Sequence, residues 1–443
     1  MEEKNSEKKE RKMRDSGIPW IGEVPEGWKV VPLKYLLSNE ANSLKVGPFG
    51  SQLSGSDFTD DGYWVYNQRS VLDKNFDSND TFISEPKFNS MNSFKIEEND
   101  ILITTRGTIG KICRIPQNYH KGIIHPCIIK FRINESLLMY SLLEKIFNES
   151  DLVKKQFEIN SNATTIDVIY GSTLRNILIP VPPVQIQHSI ADFLDFKCSE
   201  IDTLIENLRA RMESAKEYKK AVITEAVTKG LDKNAKMKDS GVEWIGEIPE
   251  NWTNSRIKYE IIPLQRPVKN NDLIVTCFRD GTVTTRQNRR EEGFTISLTE
   301  NGYQGVNIGD LVIHGMDAFA GAIGCSDSRG KITPVVHVCK TIGNNRFFMF
   351  LLRSMATNDV LMSYSDGVRI RSSDYRNFNK LGKFSIAVPP VNEQSQIADY
   401  LDSKCSEIDA LLQNYENQIA TLEEYKKSLI YEYVTGKKEV PVA

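Results

Sequence analysis

DSGIPWIGEVPEGW (Asp15–Trp28) returns as DSGVEWIGEIPENW (Asp239–Trp252), so one segment rich in Gly, Pro and Trp occurs twice in a chain of 443 residues. Glycine and proline at this density are typical of a fixed loop. Further paired anchors are Pro182–Val184 with Pro389–Val391, Ile190–Asp195 with Ile397–Asp402, and Lys197–Asp202 with Lys404–Asp409. Between these anchors the two halves differ almost completely. The sequence therefore predicts one framework used twice around two different inserts.

Each insert is predicted to mix strands and a helix, from the spacing of its apolar residues. In the first insert the expected strands are Trp64–Tyr66, Ile101–Thr104 and Ile123–Ile133, and the expected helix is Ser136–Phe147. In the second they are Leu273–Phe278, Asp310–His314, Lys331–Thr341 and the helix Asn345–Met355. Asn99-Asp100 in the first insert resembles Gly309-Asp310 in the second, and each is followed by a glycine-rich loop. One fold used twice explains this pattern best.

A long helix is predicted after each insert, because a pair of prolines stops a strand and suits a first helical turn. The first runs from about 184 to 229 and ends at Gly230, and the second runs from about 392 to 435 and ends at Gly436. Both show apolar steps of four and three residues, the spacing of a two-helix coiled coil. The seam residues are Leu194, Cys198, Ile201, Ile205 and Leu208 in the first helix, and Leu401, Cys405, Ile408, Leu412 and Tyr415 in the second. The two helices most simply pair with each other, antiparallel.

Composition is that of a soluble globular protein with 40% hydrophobic residues. No apolar run approaches the roughly 18 residues of a bilayer-spanning helix. The first fourteen residues (Met1–Arg14) are almost all charged or polar, which predicts a disordered tail and not a secretory signal. The seven cysteines form no C-x-x-C pair, which argues against a zinc site and a disulfide framework and favours a reducing cytoplasm.

The net charge of −3 hides an uneven distribution. The segment Ser255–Phe384 holds 18 Lys and Arg against 12 Asp and Glu, whereas Lys29–Ile179 holds 17 of each. Binding to phosphates needs Lys and Arg, so the positive net charge of the second insert permits nucleic-acid binding. The zero net charge of the first insert indicates neither binding nor its absence.

Motifs for catalysis are missing from the sequence. There is no G-x-G-x-x-G, G-x-x-x-x-G-K-[ST], H-E-x-x-H or G-x-S-x-G pattern. The two Pro-Pro pairs are helix starts and lack the preceding Asn or Asp and the following aromatic that an adenine methyltransferase uses. The five histidines show no metal-ligand spacing. The chain is therefore predicted to be non-catalytic, without cofactor or metal.

Polar clusters in both inserts suit contact with bases and phosphates, since Asn and Gln can bond adenine twice and Arg can do so for guanine. A polar turn or a solvated basic loop is the alternative for each cluster. The candidates in the first insert are Asn67, Gln68, Arg69, Thr105, Arg106, Lys111, Asn162 and Thr164. In the second insert they are Arg279, Arg286, Gln287, Asn288, Arg289, Arg290, Arg369 and Arg371, around a predicted hairpin turn at Arg279-Asp280-Gly281.

The whole chain from about Asp15 resembles the DNA-specificity subunit of type I restriction-modification systems. The resemblance depends on the Trp-Ile-Gly-Glu-x-Pro-x-x-Trp frame, the junctions Ile179–Pro183 and Ala387–Pro390, the helix starts Gln187–Asp195 and Gln394–Asp402, and the pairs Glu217–Lys220 and Glu424–Lys427. Each motif alone is weak. Their duplication in the same order around two dissimilar inserts is specific.

This resemblance implies an α+β fold: two mixed α/β target recognition domains in tandem, each followed by a long helix, with the helices paired as an antiparallel coiled coil in a pseudo-twofold repeat. The expected division is a charged tail (1–14), the first target recognition domain (15–183), the first long helix (184–230), a linker with the second target recognition domain (231–390), the second long helix (391–436) and a C-terminal tail (437–443).

The resemblance also implies partners. Each insert would read one half of a bipartite site in double-stranded DNA, and the helices would set the gap between the halves. The helices would dock two methyltransferase subunits and, around them, two restriction or motor subunits, which would carry out adenine methylation and DNA cleavage. The protein would act in the cytoplasm, away from any membrane. The resemblance assigns no base-contacting residue.

Two other functions are weighed against this one. A coiled-coil adaptor that binds only proteins would show no salt-dependent DNA binding and no change in sequence preference when Arg286 or Arg369 is replaced. A self-sufficient nuclease or methyltransferase would need a metal or cofactor cluster that the sequence does not show.

Overall fold

The computed structural model describes residues 11–160, 168–289, 300–362 and 375–441, with the backbone alone at Asn160. The chain divides into two compact units. The first combines Met1–Asn207 with Gln418–Ala443, and the second is Leu208–Asn417. Each unit therefore holds one insert, the beginning of one long helix and the end of the other. The domain boundaries predicted at 183 and 390 coincide with ends of elements, whereas the units divide both long helices.

The elements of the two halves follow in the same general order. The first half contains β1 (Met13–Asp15), β2 (Glu23–Pro25), β3 (Lys29–Pro32), β4 (Leu44–Val46), β5 (Phe58–Thr59), β6 (Tyr63–Tyr66), α1 (Gln68–Asp73), β7 (Phe82–Ile83), α2 (Glu85–Ser90), β8 (Ile101–Thr104), β9 (Ile112–Arg114), β10 (Gly122–Ile124), β11 (Ile128–Phe131), α3 (Tyr140–Asn148), α4 (Leu152–Asn160), α5 (Gly171–Arg175), β12 (Leu178–Val181) and α6 (Val184–Lys229). The second contains β13 (Met237–Asp239), β14 (Glu247–Pro249), β15 (Thr253–Arg256), α7 (Ile257–Glu260), β16 (Ile261–Leu264), β17 (Val275–Cys277), β18 (Val283–Thr285), β19 (Gln304–Val306), β20 (Leu311–His314), β21 (Ile323–Cys325), β22 (Gly330–Ile332), β23 (Val336–Thr341), α8 (Asn345–Thr357), α9 (Phe378–Leu381), β24 (Ser385–Val388) and α10 (Val391–Val434).

Sheet topology is repeated between the units. In the first unit β4, β11, β8 and β9 form an antiparallel sheet in that order, and β16, β23, β20 and β21 do the same in the second. In each unit the strand after the frame pairs with the strand before the long helix, β3 with β12 and β15 with β24. The inserts differ in their further sheets, which are β10-β6-β7-β5 in the first unit and the two-stranded β17-β18 and β19-β22 in the second. These observations confirm the prediction of one fold used twice.

The repeated frame packs against the end of a long helix in each unit. Trp28 and Trp252 are buried in the two main cores. Gly436, after α10, lies against Pro25 and Trp28, and Gly230, after α6, lies against Pro249 and Trp252. Both glycines have positive φ, +72° and +76°, the left-handed conformation that ends a helix at little cost only when no side chain is present. The glycines predicted as helix ends are confirmed.

The two long helices pair antiparallel, as predicted. In the first unit Lys426 of α10 lies 2.8 Å from Asp202 of α6, and in the second unit Lys219 of α6 lies 2.6 Å from Asp409 of α10. In both units the earlier part of one helix therefore meets the later part of the other. Among the predicted seam residues, Leu194, Cys198, Ile201, Ile205, Leu208, Leu401 and Ile408 are buried, and Cys405, Leu412 and Tyr415 are half-buried.

A buried glutamine fastens each insert to its long helix. The side-chain oxygen of Gln187 accepts from the backbone N–H of Met139, just before α3, and its amide donates to Leu137 and Pro182 carbonyls, all at 2.9 Å. Gln394 repeats this arrangement by accepting from the N–H of Asn344 and donating to the carbonyl of Pro389, both at 2.9 Å.

An ion pair next to each glutamine adds a second attachment. Lys145 of α3 lies 2.9 Å from Asp195 of α6, and Arg346 of α8 lies 2.5 Å from Asp402 of α10. Asp195 and Asp402 occupy the same position of the repeat. Two side-chain contacts at equivalent places therefore orient α3 and α8 on the helix that follows each insert.

Several sequence predictions needed correction. The strand predicted at Ile123–Ile133 is two strands, β10 and β11, in different sheets, and the strand predicted at Lys331–Thr341 is β22 and β23. The disordered tail predicted for residues 1–14 is wrong at its end, because Met13 and Arg14 already belong to β1, paired with β2. Residues 1–10 lie outside the described part of the chain.

Candidate nucleic-acid interface

Two loops of the first insert that the sequence suggested separately form one surface. The chain after β6 carries Gln68, and the chain after β8 carries Gly107. A β-carbon at Gly107 would lie 3.2 Å from the amide nitrogen of Gln68, so the carboxamide of Gln68 lies directly over this glycine. Gly107 has a φ of +63°, which a residue with a side chain rarely adopts. The glycine therefore allows the close approach of the two loops.

Four of the first insert's candidates are engaged in holding the fold. Asn67 caps α1, because its side-chain oxygen accepts from the backbone N–H groups of Arg69 and Ser70. The guanidinium of Arg69 lies 3.4 Å from Asp80 and 3.8 Å from Asp73.

The other two engaged side chains are Thr105 and Lys111. The hydroxyl of Thr105 donates to the carbonyl of Cys127 at 2.8 Å. The ammonium of Lys111 donates to the carbonyl of Asn148, and burial lowers the pKa of this lysine. These contacts explain four polar residues structurally, since each side chain already has a partner within the fold.

Gln68 and Arg106 are the two described candidates of the first insert that these contacts leave out. Gln68 is half-buried and Arg106 is exposed. Within the described residues neither side chain makes a hydrogen bond, and Arg106 makes no ion pair. Burial, and then the charge of Arg106, lower the pKa of the neighbouring His125, so its imidazole is neutral at pH 7. The ring nitrogen Nδ1 of His125 accepts from the backbone N–H of Cys127 at 3.2 Å.

His125 and Cys127 were missed by the sequence analysis as neighbours of this surface. They stand in the short turn between β10 and β11, which the sequence predicted as one continuous strand. Asn162 and Thr164, also predicted to contact DNA, lie outside the described residues. The chain that follows them is beside the same surface, because the backbone N–H of Ile169 donates to the carbonyl of Thr105 at 2.9 Å.

The second insert carries the predicted hairpin, formed by β17 and β18 with Gly281 in the turn at a φ of +89°. Its arginines are held mainly by acidic side chains. Arg279 lies 2.9 Å from Asp317, and Arg289 lies 2.7 Å from Asp280. The guanidinium of Arg289 also stacks over Phe278, at 4.2 Å from the ring centre.

The helical turn after β18 presents the remaining described candidates. The guanidinium of Arg286 donates to the hydroxyl of Thr276 at 3.3 Å, and the amide of Asn288 donates to the hydroxyl of Thr284 at 2.9 Å. Gln287, between them, is exposed. Arg290, Arg369 and Arg371 lie outside the described residues.

Electrostatics at the hairpin favour a persistent ion pair. Burial acts to raise the pKa of Asp280, but hydrogen bonds from Arg289 and Thr282 outweigh it and hold the pKa at about 2. Arg353 of α8, which sequence reasoning did not single out, reaches the same turn, and a β-carbon at Gly281 would collide with its guanidinium. Because Arg353 is largely removed from water at this turn, burial lowers the pKa of its guanidinium. The signal in the sequence was an arginine directly after the apolar run Phe347–Leu352 of α8.

Neither a metal site nor a membrane span emerges from the part of the chain that the structure describes. No group of three or more His, Cys, Asp or Glu there is arranged to hold a metal ion. None of the helices there combines the length and apolar composition that crossing a bilayer requires.

Comparison with known proteins agrees with the repeated architecture. The family model of the type I restriction modification DNA specificity domain matches residues 25–213. The MjaX and MjaVIII type I restriction enzyme specificity subunits of Methanocaldococcus jannaschii are 26% and 27% identical over 242 and 259 residues, which is 52% and 55% of this chain. The matched segments span about half of those relatives, 52% and 51% of their lengths.

The fold itself is shared with a solved structure. A chain from a type I R-M system, described in terms of its complex assembly and conformational transition, aligns with a TM-score of 0.68 and 16% sequence identity. The alignment covers 94% of this chain and 99% of the other. These matches show that residues 25–213 are similar to the type I restriction modification DNA specificity domain, and that the chain shares its fold with a chain of a type I R-M system.

Proposed function

We propose that this protein reads a bipartite site in double-stranded DNA for a type I restriction-modification complex and scaffolds the methyltransferase and restriction subunits, without catalytic activity of its own. One observation carries the proposal: the same fold occurs twice, attached in the same way to an antiparallel helix pair, with different polar side chains on the two inserts. Two readers with different surfaces are what two different half-sites require.

Base recognition is supported by the kinds of side chain that the inserts present. Gln68 and Arg106 in the first insert and Gln287 in the second are exposed or half-exposed near loops, and such groups can bond base edges in the major groove. The excess of Lys and Arg in the second insert supplies attraction to phosphates. Binding should therefore weaken as the salt concentration rises.

Scaffolding is supported by apolar side chains exposed at equivalent positions of the long helices. Leu204 and Tyr425 are 51% and 54% exposed in the first unit, and Leu411 and Tyr218 are 41% and 58% exposed in the second. The ion pairs between Asp202 and Lys426 and between Asp409 and Lys219 bring the members of each Leu–Tyr pair to nearly the same level of the helix pair. Two equivalent surfaces fit two copies of one partner, here the methyltransferase subunit.

The decisive experiment is co-expression with the native methyltransferase subunit in a host that lacks adenine methylation, followed by genome-wide mapping of modified adenines. A two-part motif with a fixed gap is expected. A stable complex that leaves DNA unmodified and shows no salt-dependent DNA binding would overturn the proposal in favour of a protein-only adaptor in the cytoplasm.

The scaffold is tested by native mass spectrometry of the complex. Replacing Leu204 and Tyr425 by alanine should remove one methyltransferase copy, and replacing Leu411 and Tyr218 should do the same. The paired ions Lys197 and Glu200, which lie 2.8 Å apart on the surface of α6, provide a control substitution nearby. Retention of two copies by both double variants would contradict the assignment of these surfaces.

A further inference from the structure

The surface around Gly107 carries two kinds of side chain. Some have hydrogen-bond or ion-pair partners within the first insert, and others have none among the described residues. Asn67, Arg69, Thr105 and Lys111 all have partners in the fold. Gln68 and Arg106 belong to the same two segments, yet among the described residues their side chains have no hydrogen-bond partner. Turning such a side chain to a ligand breaks no hydrogen bond or ion pair with the described residues.

We infer that Gln68 and Arg106 are the specificity-determining pair of the first insert, with Gln68 selecting adenine and Arg106 selecting guanine at the same or adjacent base pairs. This inference rests on the proposed function and narrows it to two residues. The carboxamide of Gln68 lies over Gly107, and Arg106 is the residue next to that glycine, so the two residues are neighbours on this surface.

The chemistry of each group matches one base. The carboxamide of glutamine has a donor and an acceptor side by side, which pair with the N7 acceptor and N6 donor of adenine. The guanidinium of arginine offers two parallel donors, which pair with O6 and N7 of guanine. Gly107 lacks a side chain, and a β-carbon there would press on the Gln68 amide, so the glycine keeps this carboxamide free to turn toward a base.

The surroundings keep the pair independent of pH near neutrality. His125 is the titratable ring beside Arg106, and its lowered pKa leaves it uncharged at pH 7. Its Nδ1 is already used by the backbone N–H of Cys127. The recognising groups that project from this surface are therefore a neutral amide and a permanently charged guanidinium.

Arg69 supplies a matched control in the same first turn of α1. It is adjacent to Gln68, exposed and positively charged, but its guanidinium is paired with Asp73 and Asp80. If exposure and charge alone made a residue a reader, Arg69→Ala would change the recognised sequence as much as Arg106→Ala. Our inference expects Arg69→Ala to leave every position of the motif unchanged.

The test maps methylated adenines for the complex carrying Gln68→Ala, Arg106→Ala, Arg69→Ala or Gln68→Glu. Gln68→Ala and Arg106→Ala should each relax one position in one half-site and leave the other half-site intact. In competition binding to duplexes that differ at that position, discrimination should fall by a factor between about 5 and 150. Gln68→Glu keeps the shape but removes the donor, so the preference should move from adenine towards cytosine, whose amino group donates to a carboxylate. A purely structural role for Gln68 would not produce such a switch.

Three outcomes would overturn the inference. One is an unchanged motif with Gln68→Ala and Arg106→Ala in a folded, active complex. Another is a loss of affinity that is equal for all sequences, which would assign Arg106 to the phosphates. The third is a change in both half-sites. Failure of the proposed function is distinguishable from these, because the wild-type complex would then yield no two-part motif at all.

Discussion

Replacing Gln187 by leucine should open the start of α3 while leaving the rest of the fold in place. The change removes three hydrogen bonds of 2.9 Å and leaves the N–H of Met139 and the carbonyls of Leu137 and Pro182 without partners. At about 1 kcal/mol for each orphaned group, the low end of the usual range, the local cost is about 3 kcal/mol. Hydrogen exchange of the first amides of α3, followed by mass spectrometry, should accelerate about 150-fold.

The second unit provides the control for this prediction. Gln394→Leu orphans two groups, the N–H of Asn344 and the carbonyl of Pro389, so exchange at the start of α8 should accelerate by a smaller factor, about 30-fold. Each variant should affect the peptide of its own unit alone. Equal acceleration in both units, or none at the start of α3, would refute the view that these glutamines fasten the inserts to the long helices.

The remaining predictions concern the stability of the units, measured by urea unfolding. Gly230→Ala should lower the free energy of unfolding by about 1–2 kcal/mol because the φ of Gly230 is +76°. The loss should exceed that of Gly241→Ala, where φ is +66° but a β-carbon meets nothing within 4 Å. Equal losses would exclude a packing contribution at Gly230. Glu393→Leu should cost about 1–3 kcal/mol because the indole N–H of Trp252 loses its acceptor at 2.9 Å, whereas Glu393→Gln, which keeps an oxygen there, should cost less. The stabilisation that ionised Asp280 contributes should be complete above about pH 4, where this group is ionised in the unfolded chain, and should be lost as the pH falls through about 2. The difference between wild type and Asp280→Asn should therefore shrink between pH 5 and pH 2, and a constant difference would contradict the lowered pKa.

The long helices were predictable from the sequence almost to the residue. The prediction of 184–229 matches α6, and 392–435 lies within one residue of α10 at each end. Helix limits are set by local chemistry, here prolines before the first turn and a glycine after the last. Heptad spacing is likewise local, so it predicted the seam and the pairing of the helices with each other.

The strands of the inserts were predicted less well. Ile123–Ile133 is rich in apolar residues, and the sequence prediction passed over Pro126, a residue that breaks strands and stands in the turn between β10 and β11. Buried strands and buried turns both use apolar residues, so periodicity cannot separate them. The partner strands lie far away in the chain, and it is their position that decides where a strand ends.

The roles of the candidate contact residues could not be assigned from residue type either. Asn67, Arg69 and Lys111 have the chemistry of DNA contacts, yet the fold uses them as a helix cap, an ion pair and a hydrogen bond to Asn148. Arg69 contacts Asp80, and Lys111 contacts Asn148, across intervening segments of the chain. The sequence gives the lengths of these segments but not the paths that they follow in the fold. Gln68 and Arg106 stand out only after these partners are known.

The sequence by itself determined the duplicated framework, the two inserts and the paired helices, because repetition is visible in the sequence itself, and helix limits and heptad spacing depend on neighbouring residues. Tertiary structure alone decided how Gln187 and Gln394 attach the inserts to their helices, how Pro25 and Trp28 come to pack on Gly436, and which polar side chains remain available for a ligand. Each of these depends on groups that are distant along the chain and meet only in the fold, where a buried polar group must find a partner and an exposed one need not.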